Sequence, residues 1–319
     1  MFALRVLILG AAIASAWYVM SGRASSALPA PGQDVRELAA RLASHVQELA
    51  GRIGSRHAGR PSALEAAARY IEERFVEYHY QVERQPFQAA GTTVANIEAR
   101  RRAASNRFFL IGAHYDTVSS TPGANDNASG VAVMLELARM LAATNDAEAV
   151  RFVAFVNEEP PWFQTELMGS LVYADRARSR RDDVTGMLAL ETMGYYSDAE
   201  GSQQYPSPFH LLFPSTGHFL AIVSNIGSVG LMRSFTRHFK AGSPLPIIAS
   251  PAPESIPGVG WSDHWSFWRK GYKALLLTDT APYRYPHYHA PSDTPDRLDY
   301  IRLAWAAQGI AKAARELAP

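Results

Sequence analysis

The chain has 319 residues, 47% hydrophobic and 19% charged, with a formal net charge of +1. That length and apolar content suit one large core or two small ones. The near-zero charge, with no basic block interleaved with aromatics, excludes an electrostatic case for nucleic acid. Cysteine is absent, so disulfide scaffolds, thiolate metal sites and thiol nucleophiles are excluded, and any metal must be held by His, Asp and Glu.

Arg5 precedes an apolar run from Val6 to Met20, and a small-residue stretch with two prolines follows to Gln33. Residues 1–20 read as a signal peptide or signal anchor and 21–33 as a linker. Export is therefore expected, to the periplasm, the medium or a membrane tether. The run is short of the roughly 20 residues of a full span. From Asp34, Val35, Leu38, Leu42, Val46 and Leu49 recur at helical spacing. A second helix is predicted from Ser62 to Tyr78, with Ala66, Tyr70, Ile71 and Phe75 inward.

The period then changes. Tyr80–Phe87 alternates like a strand, and Val94–Arg100 reads as another. Phe108–His114 is a continuous apolar run of the kind that buried central strands show, and Val150–Val156, broken by Arg151, reads as the next buried strand. Between them, Gly130–Ala143 has a helical period. Gly186–Leu190 and Phe209–Phe213 read as strands, Phe219–Asn225 and Leu231–Phe239 as helices, Lys273–Thr278 as a late strand and Tyr300–Leu317 as a closing helix. Strands alternating with helices predict a three-layer α/β/α sandwich on a mixed, mostly parallel sheet, as one domain over 34–319.

Polar residues gather where these strands stop. In open α/β sheets, sites form beyond the carboxyl ends of the strands. Gly112-Ala-His114-Tyr-Asp116 ends one run, offering His114 as a ligand and Asp116 as its orienting partner. A core-edge histidine is the commoner explanation of such a segment taken alone. Gly123-Ala-Asn-Asp126-Asn127-Ala-Ser129-Gly130 enters a helix. Capping explains Asn127 and Ser129, while Asp126 stands clear and its two oxygens can each face one cation. Asn127-Ala-Ser129 also spells a glycosylation acceptor, discounted because it abuts the site. Glu158-Glu159 follows a buried strand beside two prolines, with no basic neighbour in the segment. One carboxylate suits a metal, and the other suits a proton shuttle whose pKa is raised by burial and like charge. Glu191 ends an apolar strand, where an unpartnered carboxylate is costly. Tyr288-His289 lies in a late loop, with His287 as a competing ligand. Four of the five ligand segments are expected to follow a buried strand directly, the Asp126 loop being the exception. Nitrogen and oxygen ligands without sulfur suit zinc, with cobalt or manganese as substitutes. Two cations would serve metal-assisted hydrolysis. No G-x-S-x-G elbow supports a serine hydrolase.

The segments GAHYD (112–116), GANDNASG (123–130), NEEPP (157–161), LETMGY (190–195), SDHWSF (262–267) and YHAPSDT (288–294), with Arg56-His-Ala-Gly59 upstream, resemble the co-catalytic zinc exopeptidases of clan MH. That group includes secreted bacterial aminopeptidases, glutamate carboxypeptidase II and glutaminyl cyclases, with a receptor ectodomain that has lost catalysis. The resemblance implies two Zn²⁺ ions bridged by Asp126, one also held by His114 and Glu191, the other by Glu159 and His289. It implies Glu158 as general base, Tyr288 as hydroxyl donor to the oxyanion, Asp116 orienting His114, and a cis Asp126–Asn127 bond. Aminopeptidase action on peptides is the expected function, with cyclase, carboxypeptidase and non-catalytic receptor as alternatives. Many relatives carry Asp where Glu191 stands, a departure that bears on recognition of the amino terminus. Trp162, Phe163 and Trp261 are candidates to line one apolar side-chain pocket.

Overall fold

A computed structural model of the chain describes residues 28–101, 106–143, 148–205, 210 and 213–319. The N-terminal apolar run and most of the strand expected at Phe209–Phe213 lie outside the described residues. Among the described residues, no helix is long and apolar enough to cross a membrane.

Eight strands form one sheet: β1 (Gln81–Ala89), β2 (Thr92–Arg100), β3 (Arg107–His114), β4 (Val150–Phe155), β5 (Asp183–Glu191), β6 (Leu220–Ser224), β7 (Ile247–Pro251) and β8 (Ala274–Thr278). Their order across the sheet is β1-β2-β4-β3-β5-β8-β6-β7. The pairs β4–β3, β3–β5, β5–β8 and β6–β7 are parallel, and β1–β2, β2–β4 and β6–β8 antiparallel. The sheet is thus mixed and mostly parallel, as expected. The central runs Phe108–Ala113, Val150–Phe155 and Met187–Leu190 are buried throughout, because both faces of the sheet are covered.

One face carries α1 (Gln33–Val46), α2 (Pro61–Glu77), α3 (Gly130–Ala142), α5 (Val229–Gly242) and α8 (Tyr300–Leu317), and the other carries α4 (Gly169–Arg180) and α6 (His264–Arg269). A single turn, α7 (Ala281–Arg284), leads into the late loop. The two apolar clusters are the two faces of one sheet, so the sandwich has three layers.

Several local readings change. Phe219–Asn225 is not a helix: Leu220–Ser224 is β6, held between β8 and β7. A short apolar run has no decisive period, and two waiting strand edges settle its form. Asn225 then ends the strand and accepts a hydrogen bond from the Ser228 amide at 3.0 Å. Strand β7 and helices α4 and α6 carry no sequence signal strong enough to find them. Helix α4 buries only Gly169, Ser170, Tyr173, Ala174 and Ala177 beneath an arginine-rich surface. On α2 the inward face is Ala63, Leu64, Ala67, Ala68, Ile71 and Phe75, with Ala66 and Tyr70 only half-buried.

Candidate metal centre

The parallel register sets the carboxyl ends of β4, β3 and β5 side by side. His114 is the last residue of β3, opposite Phe155 at the end of β4. Glu191 is the last residue of β5, and Glu158 and Glu159 lie just past β4. His289 departs from expectation. It does not follow a strand directly but sits on the loop beyond α7, with φ 55°.

Asp126 comes from the turn Ala124–Ser129, which joins β3 to α3. The turn needs glycine at both ends. Gly123 has φ 65°, and a Cβ there would lie 2.4 Å from the Asp126 carbonyl oxygen; at Gly130 it would lie 2.4 Å from Asn127 Oδ1. The Asp126–Asn127 bond is cis, as is Pro160–Pro161. The capping reading of Asn127 holds in part. Its Oδ1 accepts from the Gly130 amide, but also from the Thr192 amide, and its Nδ2 donates to the Leu190 carbonyl. Asn127 thereby ties the turn to the end of β5, and full burial leaves no room for a glycan.

Asp126 stands between two histidines. Its Oδ1 is 3.2 Å from His114 Nε2 and its Oδ2 is 3.1 Å from His289 Nε2. Glu191 Oε2 is 3.2 Å from His114 Nε2, and Glu159 Oε2 is 3.4 Å from His289 Nε2. Two triads share Asp126: with His114 and Glu191, and with Glu159 and His289. All five expected ligands are therefore together. Glu158 is also close, with Oε2 3.9 Å from His114 Nε2. That separation, longer than the other two contacts to His114, suits a group facing the reaction space better than a third ligand.

His287 is not a competitor. Its Nδ1 is 2.8 Å from Ser292 Oγ and its ring packs edge-on against Tyr285. Tyr288 stacks on the His289 ring with centroids 3.9 Å apart. Asp116 has a different main task from the one expected. Its Oδ1 lies 3.6 Å from His114 Nδ1, and the nearer acceptor of that nitrogen is its own carbonyl at 3.2 Å. The carboxylate instead accepts the backbone amides of Glu158 and Glu159, at 3.1 and 3.2 Å.

Other supports escaped the sequence reading. Ser262 Oγ donates to Glu191 Oε2 at 2.8 Å. Asp293 accepts the backbone amides of Asn125 and Asp126 and the Tyr285 hydroxyl. Arg56, fully buried, donates to the carbonyls of Leu49, Gly54, Tyr115, Pro122 and Gly123. It clamps the segment after β3 to the Asp126 turn. Arg56 was legible only as part of an upstream motif, because a charge satisfied by carbonyls leaves no partner in the sequence.

The electrostatics ask for cations. Burial, joined by Glu191, Glu159 and Asp263, pushes the Glu158 carboxyl well above its ordinary value. Burial and Asp126 raise Glu159 to about 7. Burial alone would lower both histidines. The surrounding carboxylates override it, holding His114 well above its ordinary value and His289 at about 10. Asp126 stays low despite burial because both imidazoles face it. Acidic groups crowded in a dry site are relieved by divalent ions, which invert such shifts. Glu159 Oε1 is buried without a hydrogen-bond partner, and His289 Nε2 meets Asp126 and Glu159 at ion-pair distance without a well-formed hydrogen bond, as metal-ligating atoms would. The donor set of two imidazoles and three carboxylates fits zinc.

Two cavities flank the cluster. One, about 1000 Å³, opens beside Glu191 and Tyr288 and is walled by Phe219, Val223, Leu276 and Trp261. The other, about 830 Å³, opens beside Glu159 and Asp116 and includes Trp162. The expected aromatic trio is thus divided: Trp261 and Trp162 line different cavities and Phe163 lines neither.

The model of peptidase family M28 matches residues 92–314. The chain belongs to peptidase family M28. YfbL of Escherichia coli K12, itself uncharacterised, is 39% identical over 278 residues, covering 84% of this chain and 85% of its own. Leucine aminopeptidase 1 of Ajellomyces dermatitidis is 24% identical over 228 residues, covering 67% of this chain and 54% of that protein. The aminopeptidase from Aneurinibacillus sp. strain AM-1 shares the fold, with TM-score 0.66, 21% identity and coverage of 89% of this chain and 95% of that one. This M28 member is a metal-dependent peptidase.

Proposed function

We propose that the protein is an aminopeptidase with two zinc ions, removing N-terminal residues with apolar side chains from peptides. The observation that carries this reading is the bridging position of Asp126, one oxygen toward His114 and the other toward His289. His114 and Glu191 would complete one cation site, and Glu159 and His289 the other. A bound pair of cations supplies an acidified water and polarisation of the scissile carbonyl.

The chain's own groups supply the rest. Glu158 takes the proton of the attacking water and hands it to the leaving nitrogen, a role served by a carboxylate beside the ligands but further from His114 than Asp126 and Glu191 are. Asp116 holds the backbone of Glu158 and Glu159, so base and ligand move as a unit. Burial and the nearby carboxylates of Asp126 and Glu159 keep the Tyr288 hydroxyl protonated, ready to donate to the oxyanion. Ser262 keeps Glu191 turned toward His114.

Exopeptidase direction follows from charge. Among the described residues, no Lys or Arg lines either cavity, so a substrate's terminal carboxylate finds no counter-ion in their walls. A terminal ammonium finds several carboxylates. That favours an amino-terminal over a carboxy-terminal cut. The complete ligand set and base argue against a receptor-like role. The apolar cavity beside Glu191 suits the side chain of the first residue, lying on the sheet between β8 and β6.

The test is hydrolysis of free and N-acetylated leucyl peptides, with and without chelator. Cleavage of the free form alone, abolished by chelator, is expected. Cyclisation of N-terminal Gln without peptide cleavage would favour the cyclase chemistry. We also propose export directed by residues 1–20, tested by fractionating cells that express the full chain; a cytoplasmic product would remove that proposal.

A further inference from the structure

The floor of the apolar cavity beside Glu191 is set by strand register. Glu191 on β5 pairs with Thr278 on β8, Thr278 with Ala221 on β6, and Ala221 with Ile248 on β7. The next row on the same face is Leu276, Val223 and Ser250. Both rows line the cavity. Their chain neighbours Leu220, Ile222, Ile247, Leu275 and Leu277 belong to the core on the opposite face, as alternation along a strand requires. With neighbouring strands about 4.8 Å apart, the row from Glu191 to Ile248 spans roughly 14 Å.

The middle of that row is small and apolar. Ala221 puts only a methyl group between Thr278 and Ile248. The Thr278 hydroxyl is engaged by the Thr192 hydroxyl at 2.9 Å and the Thr280 amide at 2.8 Å. Gln203, in the wall, accepts from Arg284 Nε and the Thr280 hydroxyl and donates to the Gln204 carbonyl. Phe219, Trp261 and Tyr283 bring rings to the same walls.

Reach then separates side chains. With C–C bonds of about 1.5 Å, leucine extends ~4 Å beyond its Cα, whereas the rings of Phe, Tyr and Trp extend ~6–7 Å. From a Cα beside Glu191, leucine stops over β8, and a ring passes onto β6 above Ala221. The ring buries more apolar area there, and its pairs with aromatic walls gain beyond that area. Lys and Arg reach as far. Among the described residues, however, Glu191 is the one charged group of the lining, and it stands at the metal end. A cation carried to the β6 end would meet apolar walls without a counter-ion.

We infer that this cavity selects an aromatic first residue over leucine and over basic residues, with Ala221 as the specificity-determining position whose small side chain admits the ring. The inference rests on the aminopeptidase reading, which places the first residue beside Glu191.

The test measures kcat and KM for the p-nitroanilides of Phe, Leu and Lys on the zinc-loaded wild type, Ala221→Val and Ala221→Leu. Wild-type kcat/KM is expected to be about tenfold higher for Phe than for Leu, the scale of a small difference in apolar contact within a pocket, and lowest for Lys. Ala221→Leu should lower the Phe-to-Leu ratio by about tenfold or more, mainly through KM, and Ala221→Val by less. Calorimetric binding of L-phenylalaninol and L-leucinol should follow the same order without turnover. Should Ala221→Leu fail to fold, Ala221→Val and the wild-type ratio still decide. Leu equal to or better than Phe in the wild type would overturn the inference while leaving the aminopeptidase reading intact. So would a Phe-to-Leu ratio that the folded variants leave unmoved. Failure to cleave any of the three would remove the aminopeptidase reading and this inference with it.

Discussion

The proposed ligand set is built on two kinds of backbone. His114 and Glu191 stand at the ends of adjacent parallel strands, and Glu159 lies just past a third. The first two are placed by hydrogen-bonded register, and Glu159 by the Asp116 carboxylate that accepts its backbone amide. His289 comes from a loop beyond α7, and its side chain is 33% exposed, whereas that of His114 is fully buried. Asp126 belongs to both halves, on a turn locked by Gly123, Gly130, Asn127 and Asp293. The contrast teaches that one side of the centre is rigid before any cation arrives. The other rests on a loop tied by the Tyr285–Asp293 and His287–Ser292 contacts, which a bound cation would help to hold. Ligand exchange should therefore begin on the His289 side.

Chelation gives the largest effect and the sharpest break. Titration with chelator should take activity to background. Metal analysis at each step should show one equivalent leaving before the other, with His289→Ala already lacking the first. Simultaneous loss of both would erase the distinction between strand-borne and loop-borne sides. Next, Glu158→Gln should lower kcat by about 10²–10⁴-fold, as loss of a general base does, with metal content retained. Glu159→Ala should instead lose an equivalent of metal. The reverse pattern would exchange base and ligand. Tyr288→Phe should reduce kcat by about 10²-fold, the scale of one oxyanion donor, with little change in metal content.

The smallest effect concerns stability away from the cations. His264 is fully buried, its Nε2 2.8 Å from the Val259 carbonyl, and burial lowers it to about 4. The folded protein refuses a proton that the unfolded chain takes at its ordinary pKa of about 6.5. The stabilisation from neutral His264 is complete above that pH and is lost as pH falls toward 4, by roughly 3 kcal/mol in all. Denaturant titrations across that window should show the slope, and His264→Gln should flatten it.

The strand-borne half was readable in the sequence for a physical reason. A buried strand must be apolar, so a His or Glu at its end stands out, and the parallel register then brings such ends together. The three-layer sandwich was readable from the same runs. The loop-borne half was not. His287 and His289 differ only in how the loop turns, and a contact between His287 and Ser292 decides the matter. Strand β6 was misread because the apolar run Phe219–Val223 fits either element until β7 and β8 flank it. The dominant role of Asp116, holding two amides of another segment, left no mark in the sequence, and Ser262 beneath Glu191 was legible only as part of the SDHWSF segment. The aromatic trio failed as a single pocket because shared aromatic character says nothing about which side of the candidate metal centre a side chain faces.

The central claim is a pair of cations sharing Asp126. Anomalous scattering at the zinc edge from crystals of the zinc-loaded protein tests it directly. Two peaks about 3.5–4 Å apart are expected, one beside His114 and Glu191 and one beside Glu159 and His289. A single peak, or two peaks with Asp126 touching only one of them, would contradict it.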